Sequence, residues 1–224
     1  MKQIRIYITT AIASVLLLFA SCQQEEREVI DPTLDNTIPK NSELAVLMKN
    51  IVTHDGSYDD IVDKGHCYSI NLPYVILRNG IDPIIISQIE DYDQLQQSDN
   101  IQIQFPVIVT RDDHTEEFIA NDEELQSLAS SCQIQDDDIE CIDFVYPITF
   151  STFNSNNNNI GTVEVLHDAQ VFSFMENLNE NTVVAIKYPI NLRLSDGEFV
   201  SAGHNEELVS RILAFETSCD ENDG

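Results

Sequence analysis

Four segments of this 224-residue chain repeat one pattern, an apolar strand with a proline inside it. The four copies are "INLPYVI" (70–76), "IQFPVIV" (103–109), "FVYPITF" (144–150) and "IKYPINL" (186–192). When they are aligned on their prolines, the residues one, three and five positions before and one and three positions after are all apolar or aromatic. Such alternation is typical of a strand with one buried face. We therefore predict that each copy is one continuous strand. Because proline has no N–H for a sheet ladder, we place each at a sheet edge.

The residues that follow each proline strand also repeat. Each copy is followed by a turn, a second short strand and the start of a helix. Asn-Gly and Asp-Gly in these turns favour hairpins, since both adopt positive φ at low cost, and Asn121 with Glu124 fits a capping box. The unit is therefore strand–turn–strand–helix, four times. We predict an α+β fold of two duplicated lobes, each built of two units, with antiparallel sheets and helices on one face.

The cysteines indicate how the units pair. Cys67 begins the first strand of unit one and Cys132 ends the helix of unit two, while Cys141 and Cys219 hold the same places in units three and four. Four cysteines remain when Cys22, the residue of the lipid anchor predicted below, is set aside. An even number is typical of disulfide-bonded exported proteins and suggests two disulfides. Duplicated lobes favour Cys67–Cys132 and Cys141–Cys219, and the alternative of Cys132–Cys141 with Cys67–Cys219 stays open. The predicted divisions are lobe 1 (42–135, with a helix over 41–52), an acidic linker (136–140), lobe 2 (141–219) and an acidic tail (220–224).

The N-terminus, residues 1–21, has the features of a secretory signal peptide. Lys2 and Arg5 precede an apolar stretch that is too short and wrongly flanked for a stable membrane span. Ala20 and Ser21 stand directly before Cys22, which resembles the lipobox of bacterial lipoproteins. The resemblance implies cleavage before Cys22 and an outer-membrane protein held to the membrane by its N-terminal lipid. Residues 22–41 are then a lipidated tether, whose acidic run "QQEERE" resembles a surface-export tag of Bacteroidota lipoproteins.

The charge is strongly negative. Removal of the signal peptide takes away two of the 11 basic residues and none of the 39 acidic ones, which leaves the mature chain at −30. This argues against nucleic acid or an anionic lipid surface as a partner bound through a basic patch. Because 42% of the residues are apolar, the chain is expected to fold rather than to form an acidic disordered tail.

The sequence contains no Gly-x-Ser-x-Gly, His-Glu-x-x-His or phosphate-binding glycine loop, so we predict no enzyme activity and no cofactor. His167 and His204 fall at matching helix starts, where we expect capping rather than metal binding. The acidic runs "DDDIE" (136–140) and "DENDG" (220–224) offer oxygen ligands to Ca²⁺, although a solvated linker and a frayed tail are simpler interpretations. The polar run "NSNNNN" (154–159) is our candidate for a loop that contacts a partner, with a turn without such a role as the simpler interpretation.

The whole pattern resembles a group of surface lipoproteins from Bacteroidota, mainly flavobacteria, to which no activity is assigned. The resemblance rests on the lipobox and on "DGSYDDIVDKGHCYSINLP" (55–73), "CIDFVYPITF" (141–150), "IKYPINLRLSDG" (186–197) and "CDENDG" (219–224). It covers nearly all of the mature chain, and similar chains often continue past the acidic end. The resemblance supplies no activity. Duplicated β-rich lobes without a polar catalytic cluster favour a non-enzymatic, lipid-anchored surface protein that acts as a binding, adhesion or structural module, with its protein or glycan partner unknown. The alternative is an accessory for glycan or nutrient capture, which in a chain without Trp depends on Tyr or Phe for stacking.

Overall fold

The computed structural model of this chain describes residues 36–132, 138–153, 159–179 and 183–216. The predicted signal peptide, Cys22, most of the tether, Cys219, the acidic tail and most of "NSNNNN" lie outside the described residues. Within the described ranges, helices and small antiparallel sheets alternate along the chain, which confirms the α+β fold class. None of the helices in these ranges has the length and apolar character needed to span a membrane.

The fourfold repeat is present in the structure. Before unit one come β1 (Thr37–Ile38), α1 (Glu43–Ile51) and the short α2 (Asp60–Asp63). Unit one has β2 (Tyr68–Ile70), β3 (Tyr74–Arg78), β4 (Asp82–Ile86) and a 3₁₀ helix (Ile89–Gln94). Unit two has β5 (Ile101–Ile103), β6 (Val107–Arg111), β7 (Glu116–Ile119) and α3 (Asp122–Ala129). Unit three has β8 (Ile142–Phe144), β9 (Ile148–Phe153), β10 (Asn159–Val165) and α4 (Asp168–Glu176). Unit four has β11 (Val183–Ile186), β12 (Ile190–Leu194), β13 (Phe199–Ala202) and α5 (Asn205–Glu216).

The four repeat prolines do not lie inside strands. Pro73, Pro106, Pro147 and Pro189 each follow a cis peptide bond and fall between the short strand and the first hairpin strand of their unit. The prediction of one continuous strand was therefore wrong. The edge placement was also wrong, because β3, β6, β9 and β12, which begin directly after the prolines, each have a paired strand on both sides. The apolar alternation continues through the break because the strands before and after each proline face the same core.

Paired units exchange their short strands. In the first pair, β2 of unit one joins the hairpin of unit two, and β5 of unit two joins the hairpin of unit one, which gives the sheet orders β2-β6-β7 and β4-β3-β5. The second pair repeats this exchange in the orders β13-β12-β8 and β1-β11-β9-β10. Every one of these pairings is antiparallel. Each hairpin therefore depends on the other unit of its pair for the strand on its second side.

The buried apolar residues form two clusters, one in each pair of units. The first cluster extends from Val62 to Leu128, and the second from Ile38 to Ile212. Helix α1, which we assigned to lobe 1, packs instead in the second cluster, because its apolar face, which includes Met48, contacts α4 and α5. Strand β1, which falls inside the predicted tether, pairs with β11. The remaining lobe boundaries stay a prediction.

A disulfide joins Cys67 to Cys132, with Cα atoms 5.6 Å apart. It connects the residue before β2 to the chain just after α3, and so closes the first pair of units as predicted. The alternative in which Cys132 bonds to Cys141 is excluded by this bond. The pairing of Cys141 with Cys219 stays a prediction, because Cys219 lies outside the described residues.

One hydrogen bond recurs at the start of the helix in all four units. A side-chain oxygen in the first turn accepts from the backbone N–H four residues earlier, which fixes the direction in which the helix leaves its hairpin. The donor and acceptor residues are Ser87 and Asp91 (2.8 Å), Ala120 and Glu124 (2.8 Å), Leu166 and Gln170 (2.7 Å), and Gly203 and Glu207 (2.9 Å). In unit two, Asn121 also accepts from the Glu124 N–H, as in the predicted capping box, while the reciprocal donor is Ala120 instead of Asn121.

Candidate functional site

Unit one differs from the other three units in its core. It has two buried tyrosines, Tyr68 and Tyr74, at repeat positions where the other units have only aliphatic residues. The counterparts are Ile101, Ile142 and Val184 for Tyr68, and Val107, Ile148 and Ile190 for Tyr74. Aliphatic side chains therefore fill these positions elsewhere in the fold, and the phenol hydroxyls of unit one are not needed for packing alone.

The segment before β2 brings carboxylates to these tyrosines. It contains α2, and Asp59 attaches it to β2, because Asp59 Oδ2 accepts from the Ile70 N–H at 2.8 Å. Asp63 Oδ1 accepts from the Gly65 N–H at 3.0 Å within the segment. We call Asp59, Asp63 and Tyr68 the aspartate–tyrosine cluster.

Gly65 makes room for the Tyr68 ring. A Cβ atom at Gly65 would lie 2.4 Å from the ring and from the hydroxyl oxygen of Tyr68. Lys64, directly before it, has φ of 63° and ends α2 in the left-handed conformation. The turn "DKG" therefore both stops the helix and leaves space for a phenol side chain.

Three polar atoms of the aspartate–tyrosine cluster are buried without a hydrogen-bond partner among the described residues. They are Asp59 Oδ1, Asp63 Oδ2 and Tyr68 OH. Asp59 and Tyr68 are both 0% exposed. Unpartnered buried polar groups are rare in folded proteins, because each costs about 1–3 kcal/mol. The adjacent Asp60 contacts the His66 ring through Oδ2, and its charge acts on Asp59, Asp63 and Tyr68 alike.

Burial raises the pKa of both Asp59 and Asp63 well above the usual range of a carboxyl group. For Asp63, the neighbouring charge of Asp59 raises the pKa further. Burial also raises the pKa of Tyr68, and the charges of Asp63 and Asp59 add to this, which places its hydroxyl within electrostatic range of both carboxylates. Both carboxyl groups therefore take up protons more readily than exposed aspartates do, and a positive charge beside them would oppose this.

A chain of hydrogen bonds lies close to the cluster. Tyr58 OH donates to Ser69 Oγ at 2.7 Å, and His54 Nε2 is 2.6 Å from the same oxygen. Ser69 is 1% exposed, so its hydroxyl is closed to a substrate in this structure. The hydroxyls of Tyr74 and Tyr92 bond to each other at 3.0 Å. These tyrosines, unlike Tyr68, therefore have hydroxyl partners.

A second group of carboxylates lies near the surface. One carboxylate oxygen each of Asp55, Asp138 and Glu140 lies within 4.8 Å of the other two. Asp138 and Glu140 belong to the predicted linker "DDDIE", and Ile139 between them donates its N–H to the carbonyl of Asn50 at 3.0 Å. The structure thus brings the end of this run against Asp55. Such exposed clusters are common without a bound ion, so this group alone indicates no site.

The predicted histidine caps have different outcomes. His204 Nδ1 accepts from the Glu207 N–H at 3.2 Å, which confirms the cap at α5. His167 directly precedes α4, but its side chain makes no capping bond, so that prediction was wrong. His54 and His114 are far apart in the sequence, but the structure brings their rings into contact, with centroids 5.7 Å apart.

Sequence reasoning missed the aspartate–tyrosine cluster, although two signals for it were present. Tyr68 breaks an otherwise aliphatic repeat position, and four aspartates fall within residues 55–63. Each signal alone suggests only a polar loop before a strand. The hydrogen bond from Ile70 to Asp59, which fixes the loop on the core, depends on the fold and cannot be inferred from local pattern.

The outward side of the first hairpin is apolar. Val75 on β3 pairs with Ile85 on β4, and Leu77 pairs with Pro83. Ile85 is 62% exposed. We call these four residues the first-hairpin face.

The same positions in the second pair of units are mostly polar. The outward pair that matches Val75 and Ile85 is Thr149 with Glu164 in unit three and Asn191 with Ser201 in unit four. Unit two resembles unit one here, since Ile108 pairs with Phe118. At this pair of positions the first two units are therefore apolar and the last two are polar, while Phe199 on β13 of unit four is an exposed apolar residue (63%).

A cavity of about 570 Å³ lies beside α4. Its lining includes Val163, Phe174 and, as the one carboxylate among the described residues, Glu164. Neither Asp59 nor Asp63 is among its described lining residues. The described part of the lining therefore shows no convergent carboxylates of raised pKa, the sign of a hydrolase site.

Comparison with protein-family models, with curated proteins and with solved structures found no match. The function is therefore inferred from the residues of this chain.

Proposed function

We propose that this chain is a lipid-anchored, surface-displayed protein of the cell envelope that binds a protein partner and catalyses no reaction. The observation that carries the proposal is the first-hairpin face, an exposed apolar strand surface whose counterparts in units three and four are mostly polar. Clustered exposed apolar residues on a folded protein mark contact surfaces more often than chance. The lipobox residues before Cys22 support the anchor.

The charge of the chain indicates the chemistry of the partner, because 39 residues are acidic and only 11 are basic. A protein surface with an apolar centre and a basic rim fits this charge, because rim charges of opposite sign speed association and favour one partner over others. The face itself carries no aromatic ring for stacking on a sugar, which favours a protein over a glycan.

The test uses the soluble chain 23–224 as bait for envelope proteins of the source cell. Val75→Thr with Ile85→Thr replaces one of the two apolar pairs of the face by hydroxyl-bearing residues and keeps β-branched side chains on the strands. Asn191→Thr with Ser201→Thr makes the matched change in unit four. We expect one partner to be retained by the wild type and by the unit four variant, lost from the face variant, and released as salt concentration rises.

Retention by the face variant at the wild-type level contradicts the proposal, because the contact would then lie elsewhere. Binding on a glycan array without any retained protein supports glycan capture instead.

The anchor has its own test. In the full chain, Cys22→Ser removes the lipid acceptor, so we expect the protein to move from the membrane fraction to the soluble fraction and to lose incorporation of labelled fatty acid. Persistence in the membrane fraction would exclude lipid at Cys22 as the anchor.

A further inference from the structure

We propose that Asp59, Asp63 and Tyr68 bind a hard divalent cation, Ca²⁺, in the interior of unit one. These buried polar groups share no residue with the first-hairpin face, so an ion could bind there whether or not that face binds a partner.

The two carboxylates are fixed by hydrogen bonds from the backbone. Each uses one oxygen for a backbone N–H, from Ile70 in the case of Asp59 and from Gly65 in the case of Asp63. The other oxygen of each is buried and has no hydrogen-bond partner within the described ranges. These bonds hold both carboxylates in place while leaving one oxygen of each available, which is the arrangement of a ligand oriented before its ion binds.

The Tyr68 hydroxyl is a second, separate observation beside the two carboxylates. Tyr68 is 0% exposed, its oxygen lacks a partner in the part of the chain that the structure describes, and its electrostatic neighbours are Asp63 and Asp59. Isoleucine or valine occupies this position in the other three units. A hydroxyl is therefore introduced beside the acids at a place where the fold accepts an aliphatic residue, and Gly65 provides the space for it.

The choice of ion follows from these oxygen ligands. Two carboxylates balance a charge of +2, and carboxylate and neutral oxygen ligands suit Ca²⁺ and Mg²⁺ rather than ions that prefer nitrogen or sulfur. Mg²⁺ demands near-ideal octahedral geometry, whereas Ca²⁺ takes about six to eight oxygens in flexible geometry, so waters at the half-buried Asp63 would complete the shell of a Ca²⁺ ion. Ca²⁺ accepts an irregular set of protein oxygens, which favours it in this site.

The experiment uses the soluble chain 23–224 freed of metal with a chelator. Titration with Ca²⁺ is followed by calorimetry and by thermal unfolding. We expect one site per chain and a rise in Tm on saturation. The soluble chain has six of the seven tyrosines of the sequence and no tryptophan, so emission from Tb³⁺, a luminescent substitute for Ca²⁺, reports an ion close to tyrosine.

Two variants and a control locate the ion. Asp63→Asn should weaken Ca²⁺ binding at least tenfold. Tyr68→Phe keeps the ring in place, so it should lower both the Ca²⁺ affinity and the tyrosine-sensitised Tb³⁺ emission even if Asp63→Asn does not fold. Asp138→Asn with Glu140→Gln changes the surface carboxylates and should leave both signals as in the wild type.

Three results would overturn the proposal. The first is the absence of heat and of any Tm change with Ca²⁺, which would leave the cluster as a proton-sharing or hydrated pair. The second is binding that survives in Tyr68→Phe and disappears in the Asp138 and Glu140 variant, which would place the ion at the surface group. The third is a preference for Mg²⁺ over Ca²⁺.

Discussion

Gly65 and Tyr68 fit together as a pair of residues. Because a Cβ at Gly65 would lie 2.4 Å from the Tyr68 ring, we predict that Gly65→Ala destabilises the protein by about 1–3 kcal/mol, the usual cost of overpacking. In a background of Tyr68→Ile, the residue that units two and three have at this position, the same change should cost much less. Urea unfolding of the four proteins in this double-mutant cycle measures the difference. Equal costs in both backgrounds would show that the clash is relieved by backbone movement.

The raised pKa of Asp59 and Asp63 predicts how the stability of the cation-free protein depends on pH. In the unfolded chain both carboxyls titrate near the ordinary value of about 4. The folded protein therefore holds more protons above that pH, so the contribution of these two groups to stability is fully present below about pH 4 and is lost as pH rises towards the folded pKa values. With a chelator present, Asp63→Asn should flatten the fall in unfolding free energy between about pH 5 and pH 8. Glu123→Gln, an equal charge change on the exposed side of α3, should keep the wild-type slope.

At the scale of an element, the recurring bond at each helix start joins a hairpin to its helix. In unit two Glu124 accepts from Ala120, and we predict that Glu124→Ala lowers the free energy of unfolding by about 1 kcal/mol, as expected for loss of a helix cap. Glu123→Ala, one residue earlier in the same turn, removes an equal charge without this bond and should cost less. Thermal unfolding of both variants checks the prediction. Equal losses would indicate that helix-dipole charge, and not the bond, accounts for the effect.

Much about the elements could be predicted from the sequence, because turns, caps and alternation are local signals. The hairpin turn at Asn79 and Gly80 and the helix cap at Asn121 are examples. The break at each proline could not be predicted. When two sheets face the same core, the alternation of apolar and polar residues stays the same where the chain passes from one sheet to the other. Tyr68 and Tyr74 keep the same phase on the two sides of Pro73 although they belong to different sheets.

At the scale of the whole molecule, pairing of the units depends on contacts between distant segments. The disulfide from Cys67 to Cys132 was predicted from the duplication, because the same two places recur in units three and four. The docking of α1 on the second core was not, because the sequence shows that the helix has an apolar face and does not show which core covers it. The sequence therefore indicates which face of a helix is buried, and the tertiary contacts determine which core covers that face.

The exchange of short strands predicts that the two sheets of a pair unfold together. The amides of β2 and β5, each at an edge of the other unit's sheet, should exchange hydrogen for deuterium with a free energy close to that of the hairpins they join. Native-state hydrogen exchange at increasing denaturant measures this for the first pair. If the sheet β4-β3-β5 retained protection after β2-β6-β7 had opened, the two units would be separable, and the exchange would not couple them.

The reciprocal strands also limit how a chain of this kind changes its length. Deletion of one unit leaves its partner with a short strand that has no hairpin to join and a hairpin with an uncovered edge, open to pairing with another molecule. Addition of a single unit creates the same two defects. Units can therefore be gained or lost without such edges only two at a time. The pair of units, rather than the strand–turn–strand–helix repeat, is the smallest piece of this fold that can be duplicated or deleted as a whole.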